Sequence, residues 1–204
     1  EMKERHSLIG MLVETHVLDG EEPEVTDMYF WRGKGRDIRW GGIAFVFHHS
    51  VRFDMIDVPD SYGEILAARV SLNDLCYCFV LVYLPNHRGV SDEILLFRQF
   101  MERLPRDEFD EIIIIGDFNS KNILWGDRTD SRGTELAHAV SELNLLSFRL
   151  FHPTYLGKLN EQQSYIDCVF TSNLSILKEV RDLVPASKDD HRFLFLSFRI
   201  LDDP

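Results

Sequence analysis

The sequence predicts a two-sheet α/β sandwich with helices on the outside. Short apolar runs rich in β-branched residues recur along the chain, and several are separated by tight polar turns of the kind that close hairpins. Only two segments have apolar residues at helical spacing. Many hairpin strands with few helices favour the sandwich, although this pattern alone does not distinguish several fold families.

The amino-terminal part of the chain is predicted to consist of strands. The stretch 19–39 is charged and contains glycines, so we expect mostly loop there, with one short strand inside it. The predicted strands are Leu8–Val13, Met28–Trp31, Ile43–His48, Val51–Val58, Ile65–Leu72 and Tyr77–Leu84.

The second part of the chain carries the two predicted helices. Asp92–Leu104 has the helical apolar period, with Ser91 as a plausible N-cap, and Thr134–Leu145 has a similar apolar face. Between them lie four consecutive isoleucines, Ile112–Ile115, which predict a strand buried on both faces. Further strands are predicted near Ser147–Phe151, Tyr165–Thr171 and Phe193–Ile200.

Composition indicates one globular domain over residues 1–204. The chain is 45% hydrophobic, and no apolar run approaches the ~20 residues of a membrane-spanning helix. Its three cysteines, Cys76, Cys78 and Cys168, form no zinc-binding pattern, so we expect reduced core thiols. We therefore expect no membrane partner, and a nuclear or cytoplasmic location.

The most informative motif directly follows the isoleucine strand. Gly116-Asp117-Phe118-Asn119 places a carboxylate and a carboxamide two residues apart at the carboxyl end of a buried strand. An acid can handle a proton or a metal ion, and an amide can hydrogen-bond a phosphate oxygen, so the pair suits phosphate chemistry. Taken alone, Asp-x-Asn fits a strand followed by a simple Asx turn equally well.

This motif resembles the central motif of the endonuclease/exonuclease/phosphatase superfamily, which has the DNase-I-like fold. The continuation Lys121-Asn122-Ile123-Leu124-Trp125-Gly126, and Arg132-Gly133 before a helix, look like the LINE-type (non-LTR) retrotransposon endonucleases within it. The resemblance recurs in order from about residue 8 to residue 198, and this ordered recurrence makes it specific.

The resemblance implies a metal site and a substrate-contacting tyrosine. Val-Glu-Thr at Glu14 is similar to the family's Gln-Glu-Thr, whose glutamate binds the catalytic metal, and Asp190 would join it. The implied ion is Mg²⁺, with Mn²⁺ as the alternative. Tyr83, in Val-Tyr-Leu-Pro-Asn, is carried over as a phosphate contact, although a tyrosine at a strand end is more often a half-buried core residue.

The remaining implied residues lie near the carboxyl end. Thr154 has the spacing from Asp167 of a phosphate-contacting threonine in the retrotransposon subgroup. Ser-x-Ile-Asp at Asp167 and Asp-His at His191 are similar to the family's closing motifs, and they imply that Asp167 orients His191. Asp117 would transfer a proton, and Asn119 with His191 would hold the phosphate. Which of Asp117 and His191 is the base stays open.

The sequence departs from the family in three respects. Asp189 stands where the family usually has serine, which adds a negative charge beside the phosphate. The family's first strand, which carries an asparagine, is missing from this sequence, because Glu14 follows only thirteen residues. We expect that strand to come from native sequence before Glu1 and to be needed for stability and activity. The net charge of −12 also opposes binding to DNA.

The resulting hypothesis is an Mg²⁺-dependent endonuclease that nicks target DNA as a domain of a longer polyprotein with a reverse transcriptase. A second hypothesis keeps the fold but changes the activity to abasic-site cleavage, exonuclease action or phosphatase action. A third is a domesticated, inactive module that binds a partner. The acidic charge favours this third hypothesis, whereas the complete set of site residues from Glu14 onward argues against it.

Overall fold

A computed structural model of the chain describes residues 8–15, 24, 26–33, 41–85, 92–157, 162–183 and 190–198. Within these ranges the chain forms eleven strands and two α-helices. The strands are β1 (Ile9–Val13), β2 (Met28–Arg32), β3 (Ile43–His48), β4 (Arg52–Ile56), β5 (Glu64–Leu72), β6 (Leu75–Tyr83), β7 (Glu111–Asp117), β8 (Leu146–Phe148), β9 (Asp167–Thr171), β10 (Leu177–Leu183) and β11 (Phe193–Phe198). The helices are α1 (Asp92–Arg103) and α2 (Ser131–Glu142).

The largest sheet has six strands in the order β4-β5-β6-β7-β9-β8. Its strands pair antiparallel except for β6 and β7, which are parallel because the chain between them passes through α1. A three-stranded sheet has the order β1-β3-β2, and β10 pairs with β11. Parallel pairing of β6 with β7 brings the carboxyl ends of these two strands to the same edge.

Two hydrophobic cores lie on opposite faces of the six-stranded sheet. Alternate residues of β7 serve each core: Ile112 and Ile114 pack with α1 and α2, whereas Ile113 packs toward β3 of the smaller sheet. The isoleucine strand is therefore buried on both faces, as predicted. The two-sheet α/β sandwich with helices outside is confirmed.

Several boundaries differ from the predictions. Helix α2 begins at Ser131, earlier than predicted, because the Asp130 side chain accepts a hydrogen bond from Gly133 N at 2.6 Å and caps it. Strand β10 was not predicted, because its charged residues occur in two adjacent pairs and its apolar residues therefore lack the alternation of a strand. The predicted N-cap Ser91 and the residue Asp189 lie outside the described ranges.

Six strands have one partner each within the described residues, and β1 and β11 are two of them. There, β1 pairs with β3 and β11 pairs with β10. These are edges at which an additional strand could pair. None of the helices in the described ranges is both long and apolar enough to cross a membrane.

Candidate active site

Three polar side chains form a row across three neighbouring strands. Tyr83 ends β6, Asp117 ends β7 and Asp167 begins β9. Tyr83 is paired with Asp117, and Asp117 is paired with Asp167. Because directly paired residues point to the same face of a sheet, the strand register itself creates this row.

Gly116 allows the strands to come this close together beside Asp117. A Cβ atom at this position would lie 1.8 Å from the carbonyl oxygen of Val82 on the neighbouring strand β6. Any side chain here would force β6 and β7 apart, one residue before the catalytic carboxylate that the sequence predicts. The glycine of Gly-Asp-Phe-Asn is therefore a packing requirement of the site.

The loop after β7 turns sharply at Asn119, whose φ angle of 47° is in the left-handed region. Its backbone N–H donates to Asp117 Oδ1 at 2.8 Å, and its side-chain Nδ2 donates to Asp117 Oδ2 at 3.1 Å. Phe118 between them points into the core and is fully buried. The carboxylate and carboxamide therefore lie on the same side of the loop, in contact with each other.

The segment that follows Asn119 is held by buried polar contacts. Trp125 is fully buried, and its Nε1 donates to the Ser120 carbonyl at 3.0 Å. Asn122 Nδ2 donates to the Gly133 carbonyl at 3.0 Å, which ties the segment to the start of α2. The Asn-Ile-Leu-Trp-Gly sequence thus serves to fix the loop. The sequence motif contained these residues, but it did not reveal this role.

His191 lies beside Asp167, with its Nδ1 2.9 Å from Asp167 Oδ2. The residue is placed by an isolated β-bridge to Tyr155, whose ring centroid lies 5.2 Å from that of the imidazole. Since Nδ1 contacts the carboxylate, Nε2 is the nitrogen left for a substrate. This is the contact that the family resemblance implies for the two residues.

Burial is the main reason that the pKa of Asp117 is well above its usual range, and repulsion by Asp167 adds to it. Burial acts in the opposite sense on His191 and lowers its pKa. The hydrogen bond to Asp167 and the negative charges of Asp167, Asp117 and Glu14 outweigh that effect and raise the pKa of His191 to about 9. The imidazolium form therefore predominates at neutral pH.

Glu14 comes directly after β1 in a left-handed conformation, with φ of 50°. Its Oε1 accepts a short hydrogen bond from the hydroxyl of Tyr83. The negative charge of Glu14 contributes to raising the pKa of both Asp117 and His191. A non-glycine residue costs roughly 1–3 kcal/mol in this conformation, so the surroundings must hold it there.

Thr154 is fully buried, and its hydroxyl accepts hydrogen bonds from the backbone N–H groups of Ile166 and Asp167, at 3.3 and 3.1 Å. Thr154 therefore supports Asp167, which carries the second carboxylate of the row. A contact between the Thr154 hydroxyl and phosphate remains a prediction. The backbone carbonyl of Asp190 accepts from Leu156 N at 2.6 Å. This hydrogen bond connects Asp190, the residue before His191, to the segment that follows Thr154.

The two carboxylates of the row suit a divalent cation. Ligand atoms of Asp117, Asp167 and His191 all lie within 4.8 Å of one another, and within the described part of the chain no other group of three or more does so. The carboxylates of Glu14 and Asp190 are outside this group. The two buried carboxylates repel each other. A hard cation such as Mg²⁺, which prefers oxygen ligands, would relieve this repulsion.

Comparison with known proteins gives one family and several similar folds. A family model described as endonuclease-reverse transcriptase matches residues 77–195. No curated protein matches the chain. The matched range includes Tyr83, Asp117, Asn119, Asp167 and His191, whereas Glu14 precedes it.

Three solved structures illustrate the similarity of fold. The endonuclease domain of TRAS1, a telomere-specific non-LTR retrotransposon, has a TM-score of 0.81 and 16% identity, covering 98% of this chain and 90% of that one. The 3′ phosphatase NExo from Neisseria has a TM-score of 0.70 and 16% identity, covering 94% and 88%. An AP endonuclease from Archaeoglobus fulgidus has a TM-score of 0.68 and 15% identity, covering 98% and 91%.

Proposed function

The chain belongs to the endonuclease-reverse transcriptase family, with the DNase-I-like fold, and we propose that it is a divalent-metal-dependent phosphodiesterase that nicks DNA. The observation that carries the proposal is the contact of His191 with Asp167 directly beside Asp117 and Asn119. This arrangement joins a proton-transfer group, an oriented imidazole and an amide donor in one place. Those are the parts that hydrolysis of a phosphodiester needs.

The protonation state of His191 divides the roles. A pKa raised to about 9 favours the doubly protonated ring at neutral pH, which donates a hydrogen bond, so we assign His191 the role of a donor rather than of the base. Its Nε2 would therefore donate to a phosphate oxygen and stabilise the charge that develops there. Asp167 holds the ring in place and favours its charged form, which is the orienting role of a carboxylate in Ser-His-Asp sites.

Asp117 is then the group that transfers a proton to or from water or the leaving oxygen. Burial and repulsion by Asp167 raise its pKa, so the folded protein favours a carboxyl that can hold a proton and release it. Asn119 Nδ2 carries two hydrogens and donates one to Asp117, so the second can bind a phosphate oxygen. Tyr83 and Thr154 are proposed as further phosphate contacts.

The proposed cofactor is Mg²⁺, or alternatively Mn²⁺, held by Glu14 and Asp190 beside the carboxylates of Asp117 and Asp167. A bound divalent cation would polarise the phosphoryl group and offset the charge on the leaving oxygen. The hydrogen bond from Tyr83, which ends β6 beside Asp117, supports this role for Glu14. The proposed partners are DNA and the reverse transcriptase of a longer polyprotein.

A plasmid-nicking assay tests this function. Purified protein, including any native sequence before Glu1, should convert supercoiled plasmid to open circles in the presence of Mg²⁺, and EDTA should abolish the reaction. The variant Asp117→Asn is the matched control, because it removes the proton-transfer group and retains the shape of the side chain. An unchanged rate in EDTA would refute the metal role, and equal nicking by Asp117→Asn would point to a contaminating nuclease.

A second candidate is another phosphoester activity of the same fold, because proteins with a similar fold include an AP endonuclease and a 3′ phosphatase. Duplex oligonucleotides that contain either an abasic site or a 3′ phosphate distinguish these activities from nicking of undamaged DNA. The third candidate, an inactive binding module, is favoured by the net charge of −12. It predicts no turnover on any of these substrates.

A further inference from the structure

Arg132, the second residue of α2, contacts four acceptors on three different segments. Its Nε donates to the Phe118 carbonyl at 3.3 Å and to Ser120 Oγ at 3.2 Å. One terminal nitrogen donates to the Leu84 carbonyl at 3.3 Å and to Glu93 Oε2 at 2.9 Å. The Arg132 side chain is only 14% exposed and that of Glu93 16%, so these contacts are largely shielded from water.

The acceptors surround the proposed catalytic loop. Phe118 and Ser120 flank Asn119, and Leu84 directly follows Tyr83 at the end of β6. The Phe118 carbonyl has a second donor in Ser120 Oγ, at 2.7 Å. Asn119 occupies the left-handed conformation between two residues that Arg132 holds. A loop in this conformation needs its neighbours to fix it.

We propose that Arg132, itself anchored by Glu93, is a positioning residue that fixes the loop carrying Asp117 and Asn119 for catalysis. This inference rests on the proposed phosphodiesterase function. The guanidinium is suited to the task because its five N–H groups in a rigid planar fork reach several carbonyl and hydroxyl oxygens at once. Lysine retains the charge but not the fork, so it cannot reproduce the contacts.

Arg98 provides a matched control. It also joins the two helices, through ion pairs with Glu102 at 2.8 Å on α1 and Glu142 at 2.6 Å on α2. Its side chain is 39% exposed, and these contacts are to carboxylates alone, none of them near the loop. Arg98→Lys therefore weakens a helix-to-helix ion pair without touching the loop between Asp117 and Ser120.

The experiment compares Arg132→Lys, Glu93→Gln and Arg98→Lys in two ways. Hydrogen exchange, read by mass spectrometry of peptides, reports local order. Initial rates on supercoiled plasmid in Mg²⁺ give kcat and KM. For Arg132→Lys we expect faster exchange confined to residues 117–126 and a kcat about 10- to 100-fold lower, because small misplacements of reacting groups have effects of this size. We expect KM to change less than about threefold, because Asn119 is one of several proposed phosphate contacts, whereas Asp117 acts on the chemical step.

Glu93→Gln should show the same pattern to a smaller degree, because Arg132 stays in place but loses its charged anchor. It also serves as the informative variant if Arg132→Lys fails to fold. Arg98→Lys should match the wild type in both measurements. The proposal is overturned if Arg132→Lys and Glu93→Gln retain wild-type exchange and kcat. It is also overturned if exchange rises throughout the protein and kcat falls only with the folded fraction, since the arginine would then be merely structural.

The two measurements separate this proposal from the proposed function. If the wild type does not cleave plasmid, the endonuclease function fails, while exchange confined to residues 117–126 in Arg132→Lys still supports anchoring of the loop by the arginine. If the wild type cleaves and the variants show the expected local exchange with a reduced kcat, both are supported.

Discussion

At the scale of single residues, the site shows how position changes ordinary side chains. Asp117 and Asp167 would be fully ionised in water, yet here burial and mutual repulsion raise the pKa of Asp117 well above its usual range. His191 takes its raised pKa from the same carboxylates despite its burial. The chemistry of each residue therefore depends on the other two.

The first prediction separates catalysis from stability at Asp117. Asp117→Asn should lower kcat by ~10²-fold or more, the scale of a lost proton-transfer group. Without added metal, its melting temperature at pH 7 should equal or exceed that of the wild type. The folded wild type disfavours the charged carboxyl, so its stability falls as the pH rises above the unfolded-state pKa, and the neutral amide removes this penalty. A strongly lowered melting temperature would make Asp117 a structural residue.

The second prediction concerns the cysteines, which are all unpaired. Burial raises the pKa of Cys78 to about 12 and that of Cys168 well above its usual range, so thiolate is scarce at both. Cys76 is only partly buried. Brief treatment of the native protein with iodoacetamide should label Cys76 and leave the other two unmodified, as read by mass spectrometry of peptides. Rapid labelling of Cys78 without denaturant would contradict the packing of β6.

At the scale of elements, the site is a consequence of how three strands are paired. Tyr83, Asp117 and Asp167 are far apart in the sequence, and the β6-β7-β9 register brings them side by side. Helix α2 then supports the loop from behind through Arg132 and the close packing of Gly133. A shift of β6 relative to β7 by one residue would turn one side chain of the row to the opposite face.

The third prediction tests the contact between β6 and β7. Gly116→Ala should destabilise the protein by about 3 kcal/mol or more, because its Cβ would overlap the backbone of Val82 and backbone cannot move aside cheaply. Gly63→Ala is the control. No atom lies within 4 Å of a Cβ there, so only the strain of its backbone, with φ of 79° and ψ of −145°, is expected, about 1–3 kcal/mol. Urea unfolding of the two variants measures the difference. Equal losses would mean that the close approach at Gly116 is not what limits the strand pair.

At the scale of the whole molecule, the acidic charge opposes the proposed substrate. A net charge of −12 repels the phosphate backbone of DNA. Asp189, two residues before His191 in the sequence, contributes to that charge. A cation held by the carboxylates would offset part of the repulsion. We therefore expect a bound divalent cation to contribute more to the binding of DNA than surface lysines and arginines do. We also expect the binding to depend strongly on salt, because the repulsion is electrostatic.

The fourth prediction follows from this charge. Asp189→Ser should strengthen binding of a duplex oligonucleotide at low salt, and the gain should shrink as salt increases, because screening acts over about 10 Å at 0.1 M. Asp107→Ser removes the same charge from an exposed position before β7, at the strand end opposite to Asp117, and should have a smaller effect. Fluorescence anisotropy in CaCl₂, with turnover monitored, gives both affinities. A gain that does not change with salt would show that Asp189 has a specific contact.

The sequence by itself determined the class of fold, most of the elements and the residues that are proposed for the site. Apolar runs and helical periods are local patterns, so Ile43–His48 was predicted with its observed bounds, and the isoleucine strand of β7 was placed correctly between two cores. Strand β10 was not predicted, because pairing with β11 outweighs its charged sequence. The Gly-Asp-Phe-Asn motif located the loop that carries Asp117 and Asn119, because its geometry depends on consecutive residues.

Only the tertiary structure decided how the parts of the site meet. The register that aligns Tyr83, Asp117 and Asp167, the contact of His191 with Asp167, and the raised pKa values depend on residues distant in the sequence. The same holds for Arg132, which appeared in the sequence as part of a motif without a role. Hydrogen bonds and electrostatic interactions act through space, so they become visible only when the strands and helices are packed together.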